Sequence, residues 1–324
     1  MTDGHQKIAL ITGITGQDGA LLARLLLSKG YRVVGVYRQD AVPDTSRLAY
    51  LGIDQSIQLE GADLTEPDQC KSMLRRLAPD ELYNLAAQSS VSYSFNHPRE
   101  TLEFNIISVL NLLEAIRAVN PAIRMYQASS SEMYGKAERL PITLETRLHP
   151  ISPYGISKAT GHWMVSQYRE AYGLYAVSGI LFNHESYLRP ESFFVRKVIR
   201  SAIRIKRGEQ RVLQVGNIDI KRDFGLATEY VKAIWMVMQL EQPEDFLVCS
   251  GSSIALRDIV YYVFDQLGLD RSLIIHDTTL DRPTEILDIY GDKTKIEAKT
   301  DWKYPYTIYE VLNELINEEI QNGS

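Results

Sequence analysis

The fold is decided by the segment Thr12-Gly13-Ile14-Thr15-Gly16-Gln17-Asp18-Gly19, which places three glycines at G-x-x-G-x-x-G spacing between an apolar run and a helical pattern. Glycines let the backbone turn tightly and approach a pyrophosphate, whose charge is met by exposed N–H groups and the positive end of the helix. Glycines also occur in plain tight turns, so the pattern gains weight by following the first strand. It predicts a dinucleotide-binding loop with the candidate residues Gly13, Thr15, Gly16, Gln17, Asp18 and Gly19.

Short apolar runs alternate with helix-like stretches through the first half of the chain. The predicted strands cover residues 7–12, 31–36, 56–59, 81–87, 123–128 and 175–182, and the predicted helices include residues 19–28, 102–119 and 158–172. Continuous apolar runs suit strands that are buried on both faces, and strands that alternate with helices imply right-handed crossovers. The expected fold class is α/β with a doubly wound parallel sheet.

The rhythm of strands and helices breaks in the second half of the chain. The charged stretch 204–211 suggests a loop, whereas residues 246–249 look like another buried strand. We therefore expect a cofactor-binding domain over residues 1–182, to which a segment near 221–250 returns. Residues 183–324 are expected to form mainly a smaller substrate-binding region.

Composition excludes several functional classes. The chain has 324 residues, 45% of them hydrophobic, and a formal net charge of -6, which argues against a general nucleic-acid surface and favours small-molecule partners. Cys70 and Cys249 lie far apart without a C-x-x-C pair, so neither a disulfide framework nor a metal site is expected. No apolar stretch has membrane-spanning length and the first residues lack a signal-peptide pattern, so the expected location is the cytoplasm.

Arg38 follows the second predicted strand, in the run Val36-Tyr37-Arg38-Gln39-Asp40. At this place, about 20 residues beyond the glycine loop, an NAD site usually carries an acidic residue that binds the ribose hydroxyls. Arg38 instead offers a fork of donors for the 2′-phosphate of NADP, and Asp40 lies slightly late for the NAD role. The sequence therefore favours NADP. The alternative is that Arg38 is a solvated surface charge.

Further candidate cofactor residues follow the third and fourth predicted strands. The carboxyl ends of parallel strands meet at one edge of an open α/β sheet, and ligands bind along that edge. The candidates at this edge are Asp63, Leu64, Leu85, Ala86 and Ala87. An aspartate after a strand is also often a helix cap, which is the alternative for Asp63.

Tyr154 and Lys158 form a Y-x-x-x-K pattern that puts both side chains on one helical face. The lysine charge favours the phenolate, so the tyrosine can exchange a proton with a substrate hydroxyl as a hydride moves. Ser130, just after the fifth strand, can bond the same substrate oxygen. Glu132 adds a second general acid/base, able to remove a proton alpha to a new ketone and assist loss of a β-hydroxyl. The alternatives are a helical-surface pair and a glutamate that caps the strand end.

These motifs together resemble those of the extended short-chain dehydrogenase/reductases and, within them, the GDP-mannose 4,6-dehydratase family. The matching strings are ITGITGQDGALLARLLLSKGY, YNLAAQSSVSYSF, YQASSSEMYGK, SPYGISK, YREAYG, GILFNHES, GNIDIKRDFG and RPTEI. The resemblance implies a Rossmann-type domain that holds NADP, a smaller sugar-nucleotide domain at the C-terminal side, and a homodimer or homotetramer.

Carried over by position, the resemblance implies catalytic roles for Ser130, Glu132, Tyr154 and Lys158, with Ser130 in place of the family's threonine. It also implies substrate contacts, in which arginines suit a diphosphate and a carboxylate suits ribose or guanine donors. These substrate candidates are Ser89, Glu132, Asn183, Lys197, Arg222, Arg282 and Glu285. The chain departs from the family at Tyr187, where a proline is usual, and this loop is either a specificity element or a subunit contact.

The expected reaction converts GDP-mannose to GDP-4-keto-6-deoxy-mannose through transient oxidation at C4, water loss across C5 and C6, and hydride return to C6. One alternative is dehydration of a GDP-manno-heptose. Another is an NADPH-dependent sugar-nucleotide reductase or epimerase, in which Glu132 would be incidental. A third is a non-enzymatic NADP-binding module.

Overall fold

Parallel strands form the centre of the structure, a computed structural model that describes residues 6–322. The strands are β1 (Ile8–Thr12), β2 (Arg32–Tyr37), β3 (Gln58–Gly61), β4 (Glu81–Asn84), β5 (Arg124–Ser130), β6 (Ala176–Leu181), β7 (Asn183–Glu185), β8 (Leu213–Val215), β9 (Lys221–Leu226), β10 (Phe246–Val248), β11 (Ser253–Ala255) and β12 (Ile274–His276). Seven of them form a sheet in the order β10-β6-β5-β4-β1-β2-β3, with every neighbouring pair parallel. The predicted α/β fold with a parallel sheet is confirmed.

Helices cover both faces of this sheet. They are α1 (Gln17–Ser28), α2 (Ser46–Tyr50), α3 (Pro67–Leu77), α4 (Val91–Asn96), α5 (Pro98–Val119), α6 (Pro153–Tyr172), α7 (Phe194–Lys206), α8 (Ala227–Met238), α9 (Leu256–Leu267), α10 (Thr294–Lys299) and α11 (Ile308–Asn322). Between residues 6 and 322, no helix is both long and apolar enough to cross a membrane. The two regions predicted from the sequence begin at residue 1 and end at residue 324. Residues 1–5 and 323–324 lie outside the described part of the chain.

Alternating residues of β1 explain why the sheet is covered on both sides. Ala9 and Ile11 pack in one buried cluster with residues of α1 and α8, whereas Leu10 packs in another with residues of α3 and α5. Successive side chains of a strand point to opposite faces, so a strand that is apolar throughout must be buried on both. This arrangement matches the continuous apolar runs in the sequence.

The smaller elements of the second half form two further sheets. One has the order β11-β9-β7, and the other pairs β12 with β8. The strand predicted at 246–249 corresponds to β10, which pairs in parallel with β6 through Phe246 and Gly179. The chain therefore returns to the central sheet before it forms α9, α10 and α11.

Two elements have different boundaries in the structure from those predicted from the sequence, and local hydrogen bonds explain both differences. The strand predicted over 81–87 ends at Asn84, because the N–H groups of Leu85 and Ala86 both donate to the hydroxyl of Thr12 at 3.1 Å instead of continuing the ladder. The helix predicted over 158–172 begins earlier, at Pro153. Ser152 caps it, since its Oγ accepts a hydrogen bond from the backbone N–H of Gly155.

The loop predicted at 204–211 is wrong for its first residues. Helix α7 continues to Lys206, because apolar side chains recur along it at helical spacing and are buried, among them Val195, Val198, Ile199 and Ala202. The charged residues that suggested a loop occupy the other face of the helix. There Arg204 pairs with Glu191.

Two glycines let the loop after β1 pack closely against its surroundings. Gly13 has a φ of 71°, and a Cβ on it would lie 2.9 Å from the backbone nitrogen of Ala86. At Gly19, inside α1, a Cβ would collide with the carbonyl oxygen of Gly13 and lie 2.8 Å from Cα of Ile14. Neither contact leaves room for a side chain, so both positions require glycine.

Alanine at Gly19 is therefore expected to destabilise the protein and to weaken dinucleotide binding. The added methyl group meets rigid backbone, and overpacking of this kind costs about 1 to 3 kcal/mol. Gly161→Ala in α6 is the matched control, because its Cβ would find only Cγ2 of Val109 at 3.6 Å; this change should be neutral or stabilise by up to about 1 kcal/mol. Urea unfolding of both variants provides the measurement, and equal stabilities would contradict the packing argument.

Candidate active site

A cavity of about 270 Å³ opens at the carboxyl ends of β1, β4, β5 and β6. Its wall also includes residues from β7, β9 and the segment before α10, so both halves of the chain contribute to it. The predicted site residues that line it are Asp18, Leu85, Ala87, Ser89, Ser130, Glu132, Tyr154, Lys158, Asn183, Arg222 and Arg282. The predicted residues outside this lining are Gly13, Thr15, Gly16, Gln17, Gly19, Arg38, Asp63, Leu64, Ala86, Lys197 and Glu285.

The four predicted catalytic residues meet in this cavity. Ser130 ends β5, and Glu132 lies in the short 3₁₀ turn that follows it. Tyr154 and Lys158 come from the first turns of α6. Helix α6 can approach the turn closely because Gly155 has no side chain: a Cβ there would lie only 2.8 Å from the carbonyl oxygen of Glu132.

Burial governs the charges of Tyr154 and Lys158. Burial raises the pKa of Tyr154 to about 12, although hydrogen bonding to Ser130 lowers it. Burial also lowers the pKa of Lys158 to about 8, against the attraction of Asp18. The ammonium of Lys158 donates to the carbonyl oxygen of Ala128 at 2.8 Å and lies 5.7 Å from the centre of the Tyr154 ring. A phenolate at Tyr154 near neutral pH therefore needs positive charge in addition to that of Lys158.

Two arginines and a carboxylate form an ion cluster at the cavity, close enough to Glu132 for its charge to act on Arg222 and Glu285. The guanidinium of Arg222 donates to Glu285 at 2.8 Å and to the carbonyl oxygen of Ile286 at 2.6 Å. Arg282 also contacts Glu285, at 3.4 Å, and donates to Ser92 of α4 at 3.3 Å. The cluster sets two fixed positive charges beside the cavity, which suits an anionic diphosphate.

Asn183 and Lys197 have different surroundings. Asn183 lines the cavity at the start of β7, and its side-chain amide donates to the carbonyl oxygen of Asp223. Lys197 lies in α7, where burial lowers its pKa and Asp277 opposes the change. Lys197 therefore faces a carboxylate of the segment after β12 and lies outside the cavity lining.

The loop after β1 has the geometry of a phosphate cradle. Gly16 precedes α1 as its N-cap and supplies no side-chain cap, so the first N–H groups of the helix remain available to an anion. The opposite wall is the turn after β4, which a Cβ on Gly13 would strike. These residues fit the dinucleotide that the sequence predicts.

The remaining cofactor candidates differ in how free their side chains are. Arg38 and Asp40 are both exposed and form an ion pair, with Nε and Oδ1 2.7 Å apart. The carboxylate of Asp63 accepts from the N–H and the hydroxyl of Thr65, in a local turn. Leu64 is buried in the core, so only its backbone could contact a ligand.

Comparison with known proteins relates nearly the whole chain to one family. A family model described as GDP-mannose 4,6 dehydratase matches residues 10–315. The chain belongs to this family. GDP-mannose 4,6 dehydratase 1 of Arabidopsis thaliana is 40% identical over 327 residues, which cover 98% of this chain and 90% of that protein. GDP-mannose 4,6-dehydratase of Sinorhizobium fredii is 37% identical over 345 residues, which cover 99% of this chain and 98% of that protein. The resemblance inferred from the motifs is confirmed.

Solved structures support the Rossmann-type fold. A dTDP-glucose 4,6-dehydratase from Streptomyces venezuelae, with NAD bound, superposes with a TM-score of 0.87 at 21% identity and covers 97% of both chains. The protein RMD from Pseudomonas aeruginosa, complexed with NADPH, has a TM-score of 0.78 at 25% identity, covering 97% of this chain and 99% of that one. The fold is thus shared by proteins that bind NAD and proteins that bind NADPH.

Several residues that the motif analysis did not select also face the cavity of this GDP-mannose 4,6-dehydratase family member. His184 and Arg189 line it, and Nε2 of His184 lies 2.9 Å from the carboxylate of Asp18. Burial by itself would raise the pKa of Asp18, but His184 and then Arg189 outweigh it and hold the value at about 2. The sequence signal that could have identified His184 is its position just after a predicted strand that ends at the site.

The residues of the loop 187–190, which departs from the family pattern, lie in two different environments. Arg189 lines the cavity, whereas the ring of Tyr187 stacks on Tyr50 with 5.0 Å between centroids and lies under the guanidinium of Arg196. Tyr187 therefore packs inside the subunit. The role of this loop as a specificity element or a subunit contact stays a prediction, and Arg189 is the member of the loop that lines the cavity.

Asp223 is a fully buried carboxylate next to the cavity residues Arg222 and Phe224. It accepts hydrogen bonds from the backbone N–H groups of Ser250 at 2.8 Å and Gly251 at 3.1 Å. Burial raises its pKa to about 6 despite these donors. It holds β9 against the loop that follows β10.

The stability of the wild type relative to Asp223→Asn should fall as the pH rises. The folded protein binds a proton at Asp223 up to about pH 6, whereas an unfolded aspartate loses it near pH 4. The proton therefore stabilises the folded state below pH 4, and this contribution of about 2 to 3 kcal/mol is lost between pH 4 and pH 6. Urea unfolding across this range measures the difference, and a difference independent of pH would contradict the assignment.

Proposed function

We propose that the protein is a sugar-nucleotide 4,6-dehydratase that converts GDP-mannose to GDP-4-keto-6-deoxy-mannose. The observation that carries this proposal is that Glu132 shares one cavity with Ser130 and Tyr154. A hydride-transferring enzyme needs only the tyrosine and its partners, whereas elimination needs a second base next to the same sugar. Membership of the GDP-mannose 4,6-dehydratase family supports the same reaction.

In the proposed mechanism the oxygen of Tyr154 accepts the proton of the sugar C4 hydroxyl, while Ser130 hydrogen-bonds the same oxygen. A bound nicotinamide dinucleotide would supply, in its oxidised form, positive charge and the acceptor for the C4 hydride, and in its reduced form the hydride for C6. The C4 ketone acidifies the C5 proton, which the carboxylate of Glu132 accepts; the same group then donates this proton to the departing C6 hydroxyl. Water leaves, C6 would take back the hydride, and Tyr154 donates its proton to C5, which restores the 4-ketone and balances the atoms and electrons.

The two arginines that line the cavity support a nucleoside diphosphate as the part of the substrate that anchors it. Arg222 and Arg282 suit its phosphates, and Glu285, which now bonds both guanidinium groups, would exchange part of that contact for a ribose or guanine donor. Ser89 and Asn183 would contact the sugar, and Lys197, which lies outside the cavity lining, would have to move to reach the substrate. GDP-mannose is preferred to a GDP-heptose because the family model and the relatives are described as GDP-mannose 4,6-dehydratases.

The proposed cofactor is NADP. Neighbours with this fold bind either NAD or NADPH, so a nicotinamide dinucleotide is the common feature. NADP is favoured by Arg38, an exposed guanidinium directly after β2, at the edge where the glycine loop lies. The cofactor would occupy the first 182 residues and the sugar nucleotide would bind mainly to the remainder.

A homodimer or homotetramer is proposed on the basis of exposed apolar side chains on α5 and α6. Ile107, Ile156 and Trp163 are 37%, 45% and 57% exposed. Ile156 and Trp163 are seven residues apart in α6, so they share one helical face. Such a face fits burial against a second copy of the chain. The buried free thiols of Cys70 and Cys249 fit the reducing cytoplasm that we propose as its location.

Glu132→Gln should abolish turnover while preserving the fold and dinucleotide binding, because the amide keeps the shape of the side chain and loses the base. The expected loss of dehydratase rate is on the order of 10²- to 10⁴-fold. Wild type, Glu132→Gln and the exposed control Glu138→Gln are incubated with GDP-mannose and a GDP-heptose, and mass spectrometry follows the loss of one water.

The variant also separates the oxidation step from the elimination step. With Tyr154 intact, Glu132→Gln should still oxidise C4, so nicotinamide absorbance should rise without release of a dehydrated product. Turnover of Glu132→Gln at the wild-type rate would refute the mechanism. Stoichiometric consumption of NADPH by the wild type would favour a reductase, and water loss from the heptose alone would replace the proposed sugar.

Arg38→Ala should weaken NADP binding by about 10- to 150-fold and leave NAD binding nearly unchanged, since only NADP carries a 2′-phosphate. Asp40→Asn provides the complementary test. It frees Arg38 from its ion pair and should therefore strengthen NADP binding. Fluorescence titration gives both affinities, with Arg32→Ala as the exposed control. Equal losses for NAD and NADP in Arg38→Ala would count against NADP.

A further inference from the structure

Polar contacts fasten the segment after β6 to the start of α1. The side chain of Gln17 donates to the carbonyl oxygen of His184 at 3.2 Å and accepts from the hydroxyl of Ser186 at 2.8 Å. The adjacent Asp18 lies 2.9 Å from Nε2 of His184. The glycine loop and the wall of the cavity are therefore in direct contact over these residues.

Arg47 lies in the short helix α2, which belongs to neither loop. Its side chain bridges the glycine loop and the segment after β6. Its Nε donates to the carbonyl oxygen of Leu188 at 2.8 Å, and its Nη1 donates to the carbonyl oxygen of Thr15 at 3.0 Å. The side chain is 23% exposed, and the nearest carboxylate oxygen, on Asp44, is 4.0 Å away. The guanidinium is thus committed to two backbone carbonyls, one in each loop.

Helix α2 packs against the core of the protein, so the backbone of Arg47 is held in place. Leu48 is fully buried in the core beside α1. Tyr50 stacks on Tyr187, the residue before Leu188, with the ring planes 26° apart. The guanidinium of Arg47 consequently holds the two carbonyls at a set separation rather than following one of them.

Both carbonyls lie next to functional groups. Thr15 belongs to the loop with the phosphate-cradle geometry, and Leu188 directly precedes Arg189, which lines the cavity together with Tyr154. Arg47 therefore adds a planar group through which a displacement of either loop shifts the other. A lysine ammonium lacks the rigid fork of donors that can hold two carbonyls in this way.

We propose that Arg47 is a positioning residue that couples dinucleotide binding at the glycine loop to the order of residues 186–193 at the cavity. The inference rests on the proposed function, because it takes a nicotinamide dinucleotide as the ligand of the loop. Binding of the dinucleotide stabilises the loop, and Arg47 transmits this restraint to Leu188 and hence to Arg189. Loss of the bridge leaves both loops folded and weakens the coupling, which then depends on the contacts of Gln17 and Asp18 with His184 and Ser186.

Hydrogen exchange of the full-length protein, with and without NADP, tests the coupling. In the wild type, NADP should slow amide exchange both at the glycine loop and at residues 186–193. In Arg47→Lys and Arg47→Gln the slowing at the glycine loop should persist, whereas that at residues 186–193 should fall by about 10-fold, the change expected for a lost charge-assisted hydrogen bond. Arg32→Gln, an exposed arginine bonded to Gln58, is the control and should behave as the wild type.

The variants also separate coupling from stability. Exchange in β4 and β5 should match the wild type, and Arg47→Lys carries the test if Arg47→Gln unfolds. Equal slowing at residues 186–193 in the wild type and the Arg47 variants would overturn the proposal, as would a wild type in which NADP slows exchange only at the glycine loop. Failure of the wild type to bind NADP or NAD would instead contradict the proposed cofactor, and with it this inference.

Discussion

The close packing at the end of β1 is the constraint on which the rest of the site depends. Gly13 brings the loop against the turn after β4, and the hydroxyl of Thr12 accepts from the first two N–H groups of that turn. The same hydroxyl donates to Asn84 at 2.6 Å, and Asn84 donates to Gln127 at 2.7 Å. This buried row joins the ends of β1 and β4 to the middle of β5, which runs on to Ser130 at the same edge of the sheet.

Burial then sets the chemistry that this edge can perform. The surroundings of Tyr154 and Lys158 oppose charge on both, which raises the pKa of the phenol and lowers that of the ammonium. A catalytic phenolate consequently depends on what binds next to it, and proton transfer is tied to an assembled complex. The two arginines that line the same cavity pair with Glu285. The buried tyrosine and lysine and the two arginines thus share one small cavity.

Short motifs predicted the features that local backbone geometry controls. The glycine loop, the alternation of buried strands with helices, and the placement of Tyr154 one turn from Lys158 all follow from spacing within a few residues. Contacts across long sequence distances were not predictable in this way. Tyr187 was placed by stacking on Tyr50, and Arg47 bonds a carbonyl more than a hundred residues away. The charged residues at the end of α7 were predicted to form a loop. The structure shows a helix there, because the apolar residues between them recur at helical spacing.

The central claim is that one active site oxidises C4, eliminates water, and returns the same hydride to C6. GDP-mannose deuterated at C4 tests it most directly, with the product analysed by mass spectrometry and proton NMR. We expect loss of one water, deuterium at C6 of the product, and no net change in the nicotinamide. Deuterium that returns to C4 without loss of water would identify an epimerase, and deuterium lost to solvent or to free cofactor would contradict internal hydride return.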